Sequence, residues 1–270
     1  MNMKSQASYN YLDRYLTEIR AQGRYSFTLD ELRIKFELPY ATLKQNLYRL
    51  KYKKEIAQVR QGFYVIIPPE YSKQGMLPVY MFLDDLMKSL HKSYYLALLS
   101  AAALYGAAHQ QPMEYFVIVE SPVPRSVKNK NLIINFITKS NWSKEGIIQR
   151  KTNAGYVSVS SPELTALDLF AYAEKIGLNR ITSVLQELSQ EMKVSALATT
   201  AKQYQGNAVM QRLGYVLDKV MSEEKLATQL WKVLNERKYF PVPLSAQKEK
   251  KGEFDSKWKV IKNMEIESDL

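Results

Sequence analysis

Apolar positions in the N-terminal part of the chain follow a helical period three times and then switch to short extended runs. Tyr9, Leu12, Leu16 and Ile19 predict a helix over Met3–Ala21, which Gln22-Gly23 ends. Thr28 is an N-cap residue type with Glu31 as its reciprocal carboxylate, and Leu29, Leu32 and Phe36 supply the apolar stripe of a second helix. That helix should end before Pro39, whose missing N–H suits the first turn of a third helix reaching about Lys54. There Leu43, Leu47 and Leu50 share one face and predict the core of a trihelical unit. Ile56-Ala57-Gln58-Val59, Arg60-Gln61-Gly62 and Phe63-Tyr64-Val65-Ile66-Ile67 read as strand, glycine turn, strand. This order predicts a winged helix-turn-helix over residues 1–70, with Arg60 and Gln61 at the tip of the wing.

Pro68-Pro69 closes that hairpin, and 71–78, containing Ser72, Gly75 and Pro78, reads as a linker to a larger domain over 79–270. Helices are predicted over 80–90 and 94–105, the second almost wholly apolar and therefore buried. Four strands are predicted over 114–120, 132–138, 147–151 and 156–160, with turn-rich segments between them. Their close spacing argues for antiparallel hairpins. Ser161-Pro162-Glu163 opens a helix to about Ile176, followed by helices over 180–192, 194–204, 208–220 and 223–237. The tail returns to extended character over 239–244 and 257–261. The fold class is α+β, a winged helix-turn-helix followed by a domain with a mostly antiparallel sheet packed by helices.

Charge adds a function to the first module. The chain of 270 residues carries a net charge of +11 with a pI near 9.4, which favours a polyanionic partner. Residues 1–70 hold 12 basic against 7 acidic side chains, and 39–64 hold six basic (Lys44, Arg49, Lys51, Lys53, Lys54, Arg60) against one acidic, Glu55. The third helix turns Ala41, Gln45, Tyr48, Arg49 and Tyr52 away from its leucine face, with Lys44 and Lys51 at the edge. Gln and Arg read base edges in the major groove, Lys neutralises phosphate, and Tyr donates to phosphate or stacks on sugar. The expected DNA contacts are Tyr40, Thr42, Lys44, Gln45, Tyr48, Arg49, Lys51, Lys53, Lys54, Arg60 and Gln61. The competing reading is a solvated face of a protein–protein module, a role winged helices also serve.

The chain has no cysteine, which excludes disulfides and thiolate chemistry. Its opening residues lack the shape of a signal peptide, and no apolar run reaches the about 18 residues of a membrane span. A cytoplasmic protein without a membrane partner is expected.

Catalytic patterns are missing: there is no phosphate-binding glycine loop, dinucleotide turn or nucleophile elbow. His91 and His109 are the two histidines, too far apart for a zinc motif and read as surface or capping residues. Asp84-Asp85 lie about 100° apart on a helix and read as a solvated acidic turn. Glu114 and Glu120, near Lys128 and Lys130, lack the spacing of a nuclease centre. No catalytic residue, metal site or cofactor is expected, and the chain is not read as an enzyme. Asp168 is the notable acid, since Leu164 and Leu167 mark its face as inward, and a buried carboxylate must be paired. It is either a ligand or metal contact or an anchor to a neighbouring Tyr or His109. The anchor is preferred, because no second acid or histidine converges on it in sequence.

Four segments behind the first module carry a family resemblance. They are Tyr95-Leu96-Ala97-Leu98-Leu99-Ser100-Ala101-Ala102-Ala103-Leu104-Tyr105-Gly106, Val157-Ser158-Val159-Ser160-Ser161-Pro162-Glu163-Leu164-Thr165-Ala166-Leu167-Asp168-Leu169, Gln211-Arg212-Leu213-Gly214-Tyr215-Val216-Leu217, and Trp258-Lys259-Val260-Ile261-Lys262-Asn263. Together they resemble the AbiEi family of type IV antitoxins. That family often has histidine before the first glycine, where this chain has Tyr105, so no role is carried to that position. The resemblance implies a DNA-binding module that represses its own operon at promoter DNA with inverted repeats. It implies a second domain that counters a nucleotidyltransferase-like toxin, AbiEii, without a stable complex, in abortive phage infection. Two other classes stay open on the residues alone: a ligand-responsive regulator and a nucleic-acid-processing enzyme.

Overall fold

The computed structural model describes residues 3–107, 114–139 and 143–266. The chain forms two compact units that alternate along the sequence. One comprises Met1–Tyr94, Met113–Thr138 and Gln149–Ser158, the other Tyr95–Pro112, Lys139–Ile148 and Val159–Leu270. The class is α+β. No helix of the described residues is long and apolar enough to cross a membrane.

The first unit opens with α1 (Met3–Ala21), β1 (Ser26–Thr28), α2 (Leu29–Phe36), α3 (Tyr40–Tyr52), β2 (Ile56–Arg60) and β3 (Phe63–Ile66). Thr28 starts α2 through a reciprocal cap: its hydroxyl accepts from Glu31 N at 3.1 Å, and Glu31 accepts from Thr28 N at 2.7 Å. Glu37 ends α2 in the left-handed region, φ 49°. Pro39 stands one position before α3, as its N-cap, and not at the first helical residue. β3 pairs antiparallel with β1 on one side and β2 on the other, in the order β1-β3-β2. The turn Gln61-Gly62 needs the left-handed backbone that Gly62 supplies at φ 78°. Leu12, Leu16 and Ile19 of α1, Leu32 of α2, and Leu43, Leu47 and Leu50 of α3 meet Phe27, Ile56, Tyr64 and Ile66 in one core. Phe27 and Tyr64 stack with ring centroids 5.5 Å apart.

The expected linker 71–78 is folded into this same unit: Met76 and Leu77 are buried, and the Gln74 carbonyl accepts from Asn131 at 2.9 Å. α4 (Leu83–Ser89) follows, shorter than the sequence pattern suggests because residues Val79–Met81 form a separate 3-10 turn. Asp84 and Asp85 are half-buried and not a solvated turn. Asp84 pairs with Lys88 at 2.6 Å and accepts from the Tyr94 hydroxyl at 3.0 Å, while Asp85 accepts from Ser26. His91 is exposed, in the left-handed position just past the end of α4. His109 lies outside the described residues.

β4 (Tyr94–Leu96) replaces the start of the helix expected over 94–105, leaving α5 at Leu98–Leu104. Ala97 is extended, and Leu98 takes φ 54°, which breaks the two elements apart. A continuous apolar run does not distinguish a buried strand from a buried helix. Then come β5 (Glu114–Val119), β6 (Val127–Asn129), β7 (Leu132–Thr138), β8 (Ile147–Thr152) and β9 (Gly155–Ser160). β7 pairs antiparallel with β6 but parallel with β5, from Glu114↔Ile133 to Val119↔Thr138. Leu96 of β4 pairs in parallel with Val159 of β9. The expectation of a mostly antiparallel sheet is therefore corrected to a mixed one. The gap between β5 and β7 holds the three-residue β6, which turns back on β7 and lets β7 run alongside β5.

The second unit is mainly helical. After α6 (Pro162–Ala171) come α7 (Ala173–Ile176), α8 (Leu178–Glu191), α9 (Val194–Gln203), α10 (Asn207–Tyr215) and α11 (Glu224–Asn235). Ser161 caps α6 by accepting from Leu164 N at 3.2 Å, with Pro162 in the first turn. Residues Val216–Val220 continue α10 as a π-helical turn. β10 (Val242–Pro243), β11 (Glu253–Asp255) and β12 (Val260–Lys262) form a small sheet, with β12 parallel to β10 and antiparallel to β11. Trp258, fully buried beside it, packs on Gly214 of α10. A Cβ there would lie 1.9 Å from the indole, so the helix accepts only glycine at this contact.

Candidate functional site

The face of α3 opposite its core is open. Leu43, Asn46, Leu47 and Leu50 are buried, while Lys44, Gln45, Tyr48, Arg49, Lys51 and Tyr52 are exposed. Helical spacing sets Lys44, Tyr48 and Tyr52 in one row and Ala41, Gln45 and Arg49 in the next. Tyr48 and Tyr52 are 68% and 82% exposed, unusual for phenol rings without a partner. Tyr40 is exposed with the Lys44 ammonium 5.4 Å from its ring centroid, and Thr42 is half-buried. Lys51 donates to Gln58 of β2 at 3.0 Å, Lys53 approaches Glu55 at 3.9 Å, and Lys54 is exposed. Gln61 is exposed in the turn, and Arg60 is half-buried beside it. The predicted contacts thus lie along one helix, the segment that follows it and one hairpin. Their arrangement offers donors to phosphate and base edges together with flat rings for sugar contacts.

Asp168 lies in the second unit and is fully buried on α6. One carboxylate oxygen accepts from Lys139 Nζ at 2.6 Å and from the Tyr204 hydroxyl at 2.9 Å; the other accepts from the Tyr95 hydroxyl at 2.8 Å. The Lys139 ammonium also sits 4.2 Å from the centre of the Tyr204 ring. Burial, then the charge of Asp168, pushes the phenols of Tyr95 and Tyr204 well above their ordinary range, so both remain protonated donors. The same causes push Tyr172 up to about 12. Sequence reasoning found the acid but missed Tyr95, Lys139 and Tyr204, which arrive from three separate segments. Among the described residues no group of three or more His, Cys, Asp or Glu is placed to hold a metal ion.

The four segments that carry the sequence resemblance meet in pairs. Tyr95 joins the first to Asp168 in the second, and the Tyr105 hydroxyl donates to the Ser160 carbonyl at 2.8 Å. Gln211 in the third donates to the Trp258 carbonyl in the fourth at 2.9 Å. Asp218, just beyond the third, accepts from Trp258 Nε1 and Lys257 Nζ, both at 2.9 Å. Burial opposes its ionisation, yet these hydrogen bonds and the neighbouring lysine charges hold its carboxyl below the usual value.

Residues 95–219 match the family model of the AbiEi antitoxin C-terminal domain. No curated protein matches the sequence of the chain. The crystal structure of the RV2827C protein from Mycobacterium tuberculosis superposes with a TM-score of 0.63 over 93% of this chain and 91% of that one. Sequence identity is 14%, so the similarity is one of fold. An antigenic nucleotidyltransferase-like protein from Paracoccidioides brasiliensis aligns over 59% of this chain and 87% of its own, with 10% identity and a TM-score of 0.32, too low to carry an argument.

Proposed function

We propose, from the match of residues 95–219 to the AbiEi antitoxin C-terminal domain model, that the chain is a type IV antitoxin that also represses its own operon. In this reading α1, α2 and α3 with the β2–β3 hairpin are a winged helix-turn-helix. α3 enters the major groove, Gln45 and Arg49 reach base edges, Lys44, Lys53 and Lys54 neutralise phosphates, and Arg60 and Gln61 contact backbone from the wing. The observation that carries the DNA reading is the exposed row of cations and tyrosines on α3, opposite a closed leucine core. The partners are promoter DNA with inverted repeats and, functionally but without a stable complex, a nucleotidyltransferase-like toxin acting in the cytoplasm.

The test is operator binding by the full chain across a salt series. The expected log–log slope is about −3 to −6, which about four to six neutralised phosphates give. A slope near zero would remove the DNA reading. Arg49→Ala should relax preference at one base pair by about 1–3 kcal/mol, while Lys53→Ala should weaken all sequences alike. Equal losses on operator and random duplex would reduce Arg49 to a phosphate contact.

A further inference from the structure

Beside the hairpin, and wholly within the first unit, lies a cleft of about 850 Å³. Six cations line it: Lys51 from α3, Lys54 just after it, Arg60 at the end of β2, Lys73, Lys128 of β6, and Lys130 in the turn that follows. No aspartate or glutamate lines it. Three of these cations, Lys73, Lys128 and Lys130, belong to segments that the sequence pattern leaves outside the DNA-binding module.

We propose that this cleft is a phosphate-binding site shaped for a run of phosphoryl groups, carried either by a free nucleoside polyphosphate or by a stretch of phosphodiester backbone. Three observations point there. First, like charges gathered without a counter-acid repel one another, and among the described residues none of the six makes a salt bridge. A bound polyanion turns that repulsion into attraction. Second, Arg60, half-buried at the end of β2, brings a guanidinium to the cleft wall, and its planar fork of N–H donors matches the oxygens of a phosphate.

Third, the walls are built and not a scatter of surface lysines. Asn131 donates to the Gln74 carbonyl at 2.9 Å, which ties the β6–β7 turn to residues 72–76. Gly75 lies under that contact at φ 64°, where a Cβ would come within 3.3 Å of the Asn131 amide. The volume lies in the range of small-molecule sites, about 300–1,000 Å³, and exceeds what one phosphate fills. With carboxamides on the walls and no ring to stack a base, the recognised feature is the phosphate chain and not the nucleobase.

The experiment uses the full-length protein, with inorganic tripolyphosphate titrated calorimetrically in one arm and a DNA duplex across a salt series in the other. Lys128 and Lys130 are exposed, so Lys128→Gln/Lys130→Gln should melt like the parent. The double variant is expected to bind tripolyphosphate about tenfold more weakly, whereas Lys225→Gln, an exposed lysine of α11 that does not line the cleft, leaves that affinity unchanged. A loss confined to tripolyphosphate identifies a free polyphosphate as the ligand. A loss confined to duplex, with the log–log slope shallower by about two, identifies the DNA backbone. Losses in both arms mean that the two compete for the cleft. A double variant that matches the parent in both arms overturns the proposal. Failure of the parent to bind duplex at all would count against α3 as a DNA reader while leaving the tripolyphosphate arm in force.

Discussion

Asp168 illustrates how a single buried charge is retained. Its carboxylate receives one ammonium and two phenol hydroxyls, so three donors from separate segments share one acceptor group. Asp168→Ala strands Lys139 and leaves two hydroxyls without their acceptor, and breaking such a buried pair costs about 3–5 kcal/mol. Asp168→Asn should cost less, because a phenol hydroxyl can turn from donor to acceptor and meet the new amide. Thermal melting distinguishes the two, and equal melting of both variants with the parent would show the cluster to be structurally idle. The phenols add a pH dependence. Tyr172 is raised from its ordinary 10 to about 12, so between these values the unfolded chain loses its proton while the folded one keeps it. Its stabilisation is complete below pH 10 and disappears as pH rises through 12. Denaturant midpoints measured through this window should fall with pH, and less steeply for Tyr172→Phe; parallel curves would remove Tyr172 as a contributor.

At the level of elements, the reciprocal cap at Thr28, the leucine face of α3 and the Gly62 turn were legible because each is set by neighbours within a few residues. What was not legible depends on partners far away in sequence. Tyr94–Leu96 reads as helix until its place beside β9 is known, and the three-residue β6 carries too little pattern to detect. The same holds for the site: the acid was readable from its inward face, but Tyr95, Lys139 and Tyr204 come together only through the fold. The segment after the hairpin shows this in energetic form. Phe63 of β3 packs on Phe82 with ring centroids 6.5 Å apart, and Ser26 of β1 donates to Asp85 of α4. A fragment ending at residue 70 therefore exposes one face of the β1–β3 strand pair, whereas one ending at residue 93 keeps α4 on it. The longer fragment should melt cooperatively at a higher temperature; equal melting would show that residues 71–93 add nothing to this module.

For the whole molecule the question is whether repression and protection are separable activities. The proposed DNA contacts lie on α3 and the hairpin, while the Asp168 cluster lies within the segment 95–219 and the residues folded with it. Lys44 and Arg49 are exposed on α3 while Asp168 is fully buried on α6, so a surface change on α3 leaves the packing of α6 intact. Lys44→Ala/Arg49→Ala in the full chain should therefore lose repression of a promoter reporter yet still protect cells that express the proposed partner toxin. Asp168→Ala should lose protection together with thermal stability, since Asp168 ties Tyr95, Lys139 and Tyr204 together inside the second unit. An Asp168→Ala protein that melts normally but fails to protect would instead make the carboxylate a direct participant in antitoxicity. If the α3 double variant lost protection while remaining folded and present at normal levels, repression and protection would share one surface, and the division of labour proposed for this chain would not hold.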